Sequence, residues 1–498
     1  MDSVKIQNLI NYAKYHLKLN PLDEIYVRNR LLEATFSDEF EANEGNIDVS
    51  KIDVPDQVID PILDELIATN KIDASLKEGY LCKLMDIVSL RPSEIEKIFH
   101  ELYDKKPLDA FKWLISYSEK NSYVKKSSIN NNIKWVANGT KGPLEITINL
   151  SKPEKTLAQV KQAAKANNKY PKCAICVDNM GFYGHNITKQ NLRGIYLNLN
   201  NEKWFWQYSP YGYFNEHGIA LNTKHTPMVV EKENIKRLFD FLDYIPEYFI
   251  GFNAALPIVG GSILAHDHYQ GGNYVLPLDK AQPKYFYNSH MENVEVSRLD
   301  WYNNVIEIKS SSRKDVEKLA GIIIDNWKKY NDIENVIIAS DEEGIHNSIS
   351  ATSRKMDEKY VLHLILRNNK TSSEYPDGIY HAHREYFNIK QESIGLIEAA
   401  GLFILPARLL RQLGIIEKIL TGETITLTDD MFVHKDMINR LTKQNGTNNT
   451  LEKSQQIVRN EINRICVEIL KNTAIFKDNE QGEKGFDKFM LSIGMERL

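Results

Sequence analysis

The hydrophobic period of this chain changes near residue 131, and that change rules out both an all-helical and an all-strand fold. Before it, apolar residues recur at helical spacing, in Ile6, Leu9, Ile10, Tyr12 and Ala13 and again in Ile59, Ile62, Leu63 and Leu66. Pro21, Pro55 and Pro92 fall where helices start or break. After it, Ile133, Trp135 and Ala137, then Leu144, Ile146, Ile148 and Leu150, alternate with polar residues, the period of a half-buried strand. Further on, the pattern predicts helices over Thr156–Asn167, Glu231–Ile245, 314–330 and Ile394–Leu405. Strands are predicted over 217–222, 335–340 and 360–367, and a polar helical tail with a loop at 444–450. The expected class is α+β. Its expected divisions are a helical region at 1–130, mixed halves at 131–280 and 281–425, and a helical extension at 426–498.

Length supports several cores, because 498 residues exceed what one ordinary core organises. The formal net charge is −5, from 62 basic and 67 acidic residues, so the surplus that marks a nucleic-acid binder is missing. No run of about 18 uncharged apolar residues occurs, and the N-terminal segment lacks the apolar core of a signal peptide. The four cysteines are too few for a disulfide scaffold. Together these features predict a cytoplasmic protein without a membrane or nucleic-acid partner.

The segment 251–274, GFNAALPIVGGSILAHDHYQGGNY, is where the chemistry concentrates. On a strand, residues two apart point to one face, so His266, His268 and Gln270 would project together. Gly260 and Gly261 allow the backbone to approach a ligand, and Ser262 adds a hydroxyl. Two imidazoles and an amide beside such a cradle suit a phosphoryl group. The inert alternative is a pair of buried, hydrogen-bonded histidines. Gln270 cannot transfer protons and can only donate and accept hydrogen bonds. That suffices when the leaving group is itself a phosphate, whose second pKa is about 6. It also leaves no base at that position to activate water.

Cys173-Ala-Ile-Cys176 is half of a zinc site by spacing, or simply two reduced cysteines near a turn. His225 and His266 are the candidate remaining ligands, and a site of two cysteines and two histidines would be closed and structural. The aromatic run 204–214 could stack on a uracil ring or simply form packed core. His381 and His383 would line a substrate pocket or be structural, and Lys390 is a candidate phosphate contact.

The stretch LPIVGGSILAHDHYQGG (256–272) resembles the active-site signature of the class II, bacterial galactose-1-phosphate uridylyltransferases. HNSIS (346–350), LHLILRNN (362–369) and HAHREYFNIKQESIGLIEAAGLFILPARL (381–409) match in order and spacing. The family usually carries Asp where this chain has Ala255. The resemblance implies a duplicated histidine-triad-like fold with antiparallel sheets. It makes His268 the nucleophile and Gln270 the holder of the phosphoryl oxygens. Asn253 and Ser262 lie where the more distant class I enzymes contact nucleotide phosphates. Those enzymes also bind zinc through two cysteines and two histidines, an order that Cys173, Cys176, His225 and His266 follow. Their iron site has no counterpart expected here, because the second H-x-H reads His363-Leu-Ile. No organic cofactor is implied.

The expected reaction transfers UMP from UDP-glucose to galactose-1-phosphate through uridylyl-His268, releasing glucose-1-phosphate and UDP-galactose. The expected partners are therefore those nucleotide sugars and hexose-1-phosphates, with a homodimer as one open outcome. Two rivals stand beside it: a related nucleotide phosphorylase or hydrolase, and a non-catalytic module that binds nucleotide sugars.

Overall fold

A computed structural model describes residues 1–152, 170–184 and 189–498. The helix expected at Thr156–Asn167 lies outside the described residues. Two compact units emerge. The first comprises Met1–Asn130, Asn167–Thr226 and Gln270–Gly272; the second comprises Asn131–Ala166, Pro227–Tyr269 and Asn273–Leu498.

In the first unit, residues 1–130 form helices, as the period predicts. Ser3–His16, Glu24–Ala34, Asp56–Ala68, Lys77–Val88, Pro92–Tyr103 and Pro107–Lys120 are the main ones. Asp2 caps the first by accepting from the Val4 N–H, and Pro92 and Pro107 open theirs where the missing N–H costs nothing. The helices share a core with an antiparallel meander of Gly194–Leu199, Glu202–Tyr208 and Gly218–Asn222. Buried Arg193 ties the two parts together: its Nε donates to the Leu90 carbonyl at 2.6 Å and its Nη2 to Asp86 at 2.9 Å. The Tyr208 hydroxyl donates to the Phe111 carbonyl at 2.9 Å. Trp204, Phe205, Trp206, Tyr208 and Phe214 are buried in this core, so within 204–214 the packed-core reading describes these five rings.

In the second unit, Ile133–Gly139 and Gly142–Asn149 form the hairpin their alternation predicts. Leu402–Pro406 lies parallel to Gly142–Asn149, with Phe403 opposite Ile146. A larger antiparallel sheet runs in the order Glu496–Arg497, Pro283–Asn288, Glu295–Leu299, Val305–Ser310, Lys359–Asn368, Asn347–Met356 and Phe249–Phe252. Helices Lys232–Tyr244 and Arg313–Trp327 pack on it. Helices Arg408–Leu420, Lys435–Asn445, Leu451–Thr473 and Glu480–Ser492 form the C-terminal part. The α+β class expected from the period change is the class observed.

Two segments differ from expectation. Ile394–Leu405 is not one helix: a short helix, Leu396–Ala399, turns at Gly401 (φ +94°) into the strand Leu402–Pro406. Every residue of both pieces is buried, and a continuous apolar run carries no period that separates helix from strand. Residues 335–340 are not one strand: Val336 turns the chain at φ +59°, Ile337 makes an isolated bridge to Asp332, and Ser340 opens the two-residue strand Ser340–Asp341. No helix among the described residues is long and apolar enough to cross a membrane.

Candidate active site

The strand His268–Gly272 carries the second half of the H-x-H-x-Q motif. Its facing is fixed by Tyr269. Asn234, near the start of helix Lys232–Tyr244, accepts from the Glu231 N–H and donates through Nδ2 to the buried Tyr269 hydroxyl at 2.9 Å. Arg237 reaches the same hydroxyl at 3.4 Å. With Tyr269 anchored on the helix, pleating turns His268 and Gln270 to the other side.

The strand starts at His268, not at His266 as the even spacing predicts; the chain bends at 265–266. Buried His266 therefore does not project in register with His268, and its carbonyl oxygen instead accepts from His268 Nδ1 at 2.7 Å. A backbone carbonyl can only accept, so the proton sits on Nδ1 and the Nε2 lone pair is left over. Nε2 has no hydrogen-bond partner among the described residues. Burial pulls the His268 pKa down to about 4 against the opposing pull of the His266 carbonyl, so the ring is neutral near pH 7. A neutral imidazole with one nitrogen tied and the other open is the form that attacks phosphorus.

Gln270 is half-buried, and its Oε1 lies 3.1 Å from Nε2 of His217, which is buried. His217 stacks on Tyr213 with centroids 4.9 Å apart, and its Nδ1 lies 3.4 Å from the Tyr213 N–H. Burial pushes its pKa down to about 3, with only the Gln270 contact opposing.

The glycine cradle is a tight turn. The Gly260 N–H donates to the Leu256 carbonyl at 2.8 Å. A Cβ at Gly261 would come within 2.8 Å of Asn253 Nδ2, so glycine is what lets the two meet. Asn253 is buried, and its Oδ1 accepts from the Leu396 N–H at 2.8 Å, at the start of the short helix. Ser262 is exposed.

Cys173, Cys176 and His225 converge. The two sulfurs are 3.5 Å apart, and Cys176 Sγ is 3.2 Å from His225 Nδ1. Tetrahedral zinc with Zn–S near 2.3 Å would set sulfurs about 3.8 Å apart and sulfur and nitrogen slightly closer. The three donors fit such an ion within the small adjustment that binding makes. Asn179 shapes the turn, donating to the Cys173 carbonyl at 3.0 Å and the Cys176 carbonyl at 2.8 Å. The bond to Cys176 lowers the Cys173 pKa to about 7 despite burial, which favours the thiolate a metal needs.

His381 and His383 lie on a loop. His381 is buried, with Nδ1 3.2 Å from the Ala382 carbonyl, and burial beside Arg367 lowers its pKa to about 4. His383 stacks on Tyr375 at 4.2 Å. Lys390 is buried, with Nζ donating to Glu398 at 3.0 Å, Glu392 at 3.2 Å and the Ile404 carbonyl at 2.9 Å.

Residues 17–227 match the family model described as galactose-1-phosphate uridyl transferase, N-terminal domain. Over 99% of this chain and 98% of that one, the sequence is 36% identical to a galactose-1-phosphate uridylyltransferase of Caldanaerobacter subterraneus subsp. tengcongensis. This chain belongs to the galactose-1-phosphate uridylyltransferase family. A member from Clostridium acetobutylicum is 38% identical over 98% of this chain and 99% of that one. One from Streptococcus pneumoniae serotype 4, named galactose-1-phosphate uridylyltransferase 2, is 37% identical over 98% and 99%. A solved yeast Ap4A phosphorylase is similar at 10% identity and TM-score 0.29, covering 56% of this chain and 80% of that one, too slight a likeness to carry an argument.

In this uridylyltransferase-family chain, the contact that motif reading does not reveal is His217. It lies 53 residues before its partner Gln270 and belongs to no short motif. The sequence signal is an isolated histidine between aromatic residues and Gly218, a pattern that a buried core histidine also produces.

Proposed function

We propose that the chain transfers UMP from UDP-glucose to galactose-1-phosphate by a ping-pong route through His268. The observation that carries this is the tie from His268 Nδ1 to the His266 carbonyl, which leaves Nε2 as the open lone pair of a neutral ring. Nε2 attacks the α-phosphorus of UDP-glucose. The P–Nε2 bond forms as the bond to the bridging oxygen breaks, and glucose-1-phosphate leaves with that electron pair. The ring, now substituted at Nε2 and still protonated at Nδ1, carries positive charge that the His266 carbonyl stabilises at 2.7 Å. A phosphate oxygen of galactose-1-phosphate then attacks, the P–Nε2 bond breaks, and UDP-galactose leaves. Neither leaving group needs a proton, which suits Gln270 as a hydrogen-bonding group for the phosphoryl oxygens.

Asn253, Gly260, Gly261 and Ser262 are proposed to line the nucleotide phosphate site, and His381 and His383 the substrate pocket. The contacts of Lys390 favour a structural role over the phosphate contact. Cys173, Cys176 and His225, with His266 as fourth ligand, are proposed to hold zinc, which when bound would brace the chain next to the nucleophile. The protein is proposed to work in the cytoplasm.

The test is an intact-mass spectrum after mixing with UDP-glucose. One uridylyl group per chain, absent in His268→Ala and lost on adding galactose-1-phosphate, is expected, with glucose-1-phosphate released in equal amount. A full-rate His268→Ala enzyme, or no adduct on the unaltered protein, overturns the proposal.

A further inference from the structure

The structure assigns His217 as the residue that orients the Gln270 amide for the phosphoryl group, an inference that rests on the proposed uridylyl transfer. The Tyr213 backbone N–H can only donate, and it points at His217 Nδ1 from 3.4 Å. Nδ1 is thereby the accepting nitrogen. A neutral imidazole carries one proton, so His217 holds it on Nε2. Gln270 must then meet it with its oxygen, at 3.1 Å. The amide has only one other end. Its –NH2 group, with no hydrogen-bond partner among the described residues, is left to face whatever lies over the strand. A phosphoryl oxygen is an acceptor, so this is the orientation the reaction needs. The opposite flip would present a carbonyl oxygen to an anion.

The neighbourhood is built to hold this tautomer. Burial keeps the ring uncharged, and a charged ring would lose the acceptor that Tyr213 requires. The ring stacks on Tyr213 with centroids 4.9 Å apart and lies tilted against Phe214 at 4.3 Å, contacts that restrict its plane. The loop can come this close to the strand because position 272 is glycine. A Cβ there would meet the Glu216 carbonyl oxygen at 2.6 Å and that of Asn215 at 2.9 Å. The loop's own backbone is pinned by the Ser209 N–H donating to the His217 carbonyl at 2.8 Å. His217 thus acts through Gln270, as a positioning residue.

The experiment measures the single-turnover rate of uridylylation by UDP-glucose in five proteins: unaltered, His217→Phe, His217→Gln, Gln270→Ala, and His217→Phe with Gln270→Ala. Phenylalanine keeps the stacking and removes the donor; glutamine restores a donor close to where Nε2 was. Phe at 217 should slow the step about ten- to hundredfold, less than the roughly hundred- to thousandfold loss when such a donor is removed outright because the amide is still present, with UDP-glucose affinity changed less than about threefold. Gln at 217 should recover most of the loss. In the Gln270→Ala background, Phe at 217 should cost less than about threefold, because a residue acting through Gln270 has nothing left to act on. An unchanged rate in His217→Phe, or a full loss that persists without Gln270, overturns the assignment. Should the variants not fold, long-range 1H–15N spectra of the unaltered, histidine-labelled protein decide it. A His217 signal protonated at Nε2 supports the assignment, and one protonated at Nδ1 refutes it. The spectra need no substrate, so they judge His217 even if no uridylyl adduct forms and the proposed reaction itself fails.

Discussion

Replacing Lys390 with methionine separates a structural cation from a substrate contact. Methionine is close to lysine in length and keeps an apolar stem, but it lacks the charge and the N–H donors. Lys390 is 1% exposed and holds two carboxylates, Glu398 and Glu392, plus the Ile404 carbonyl. Burial alone would lower its pKa; Glu398 and Glu392 more than offset that and raise it, so the site is built around the charged form. Removing one partner of a buried pair leaves the other as an uncompensated charge, at a cost of about 3–5 kcal/mol. Glu392 keeps Lys152 at 2.9 Å, which argues for the lower end of that range. The pH dependence has a definite sign. Burial pushes the Glu392 carboxyl up, but Lys390 and Lys152 hold it down to about 2, from 4.5. A depressed carboxyl adds stability above its unfolded pKa and loses it as pH falls toward the folded one. Methionine at 390 relieves much of that depression, so its deficit should be largest at neutral pH and shrink from about pH 4.5 downward. Urea unfolding at pH 7 and pH 4, followed by tryptophan fluorescence, measures both deficits. Unaltered stability with a raised KM for a hexose-1-phosphate would refute the reasoning and return Lys390 to the substrate.

Three further outcomes are expected. Gly261→Ala should destabilise by about 1–3 kcal/mol, because its Cβ displaces Asn253 from the buried Leu396 N–H. In an Asn253→Ala background, urea unfolding should find less than about 0.5 kcal/mol of that left. Ala255 sits at φ +52°, in the left-handed region, so Ala255→Asn should raise stability by about 0.5–1 kcal/mol, read from the same urea midpoints. Elemental analysis should find one zinc per chain, and Cys173→Ser with Cys176→Ser should lose it and lower the thermal midpoint.

What sequence reading delivers here tracks how local the determining interaction is. The helical first 130 residues and the 133–149 hairpin are written in period, and period is local. The C-x-x-C turn is likewise local, and Cys173, Cys176 and His225 do converge in the structure. The failures are places where the period is silent. The run 394–405 is apolar throughout, so only pairing with 142–149 makes part of it a strand. His266 fits a strand by count, but the carbonyl it offers to His268 comes from a bend. His217 was out of reach because its meaning depends on a glutamine far along the chain and on a backbone N–H, neither of which a motif encodes.

The same two side chains bear on why the chain should transfer rather than hydrolyse. Water attacking a uridylyl-histidine must give up a proton, and a base has to take it. On the strand that begins at His268, the side chain two residues on is Gln270, which takes none. Behind it stands His217, a residue that could serve as a base in principle. It cannot do so in this arrangement: its Nε2 already carries the proton it donates to Gln270, and its Nδ1 lone pair is directed at the Tyr213 N–H. Burial also holds its pKa near 3, far too low to draw a proton from water at neutral pH. A sugar phosphate arrives already ionised and needs no base at all. The pair therefore discriminates by proton demand rather than by size, so the uridylyl group should outlast water and yield to a phosphate.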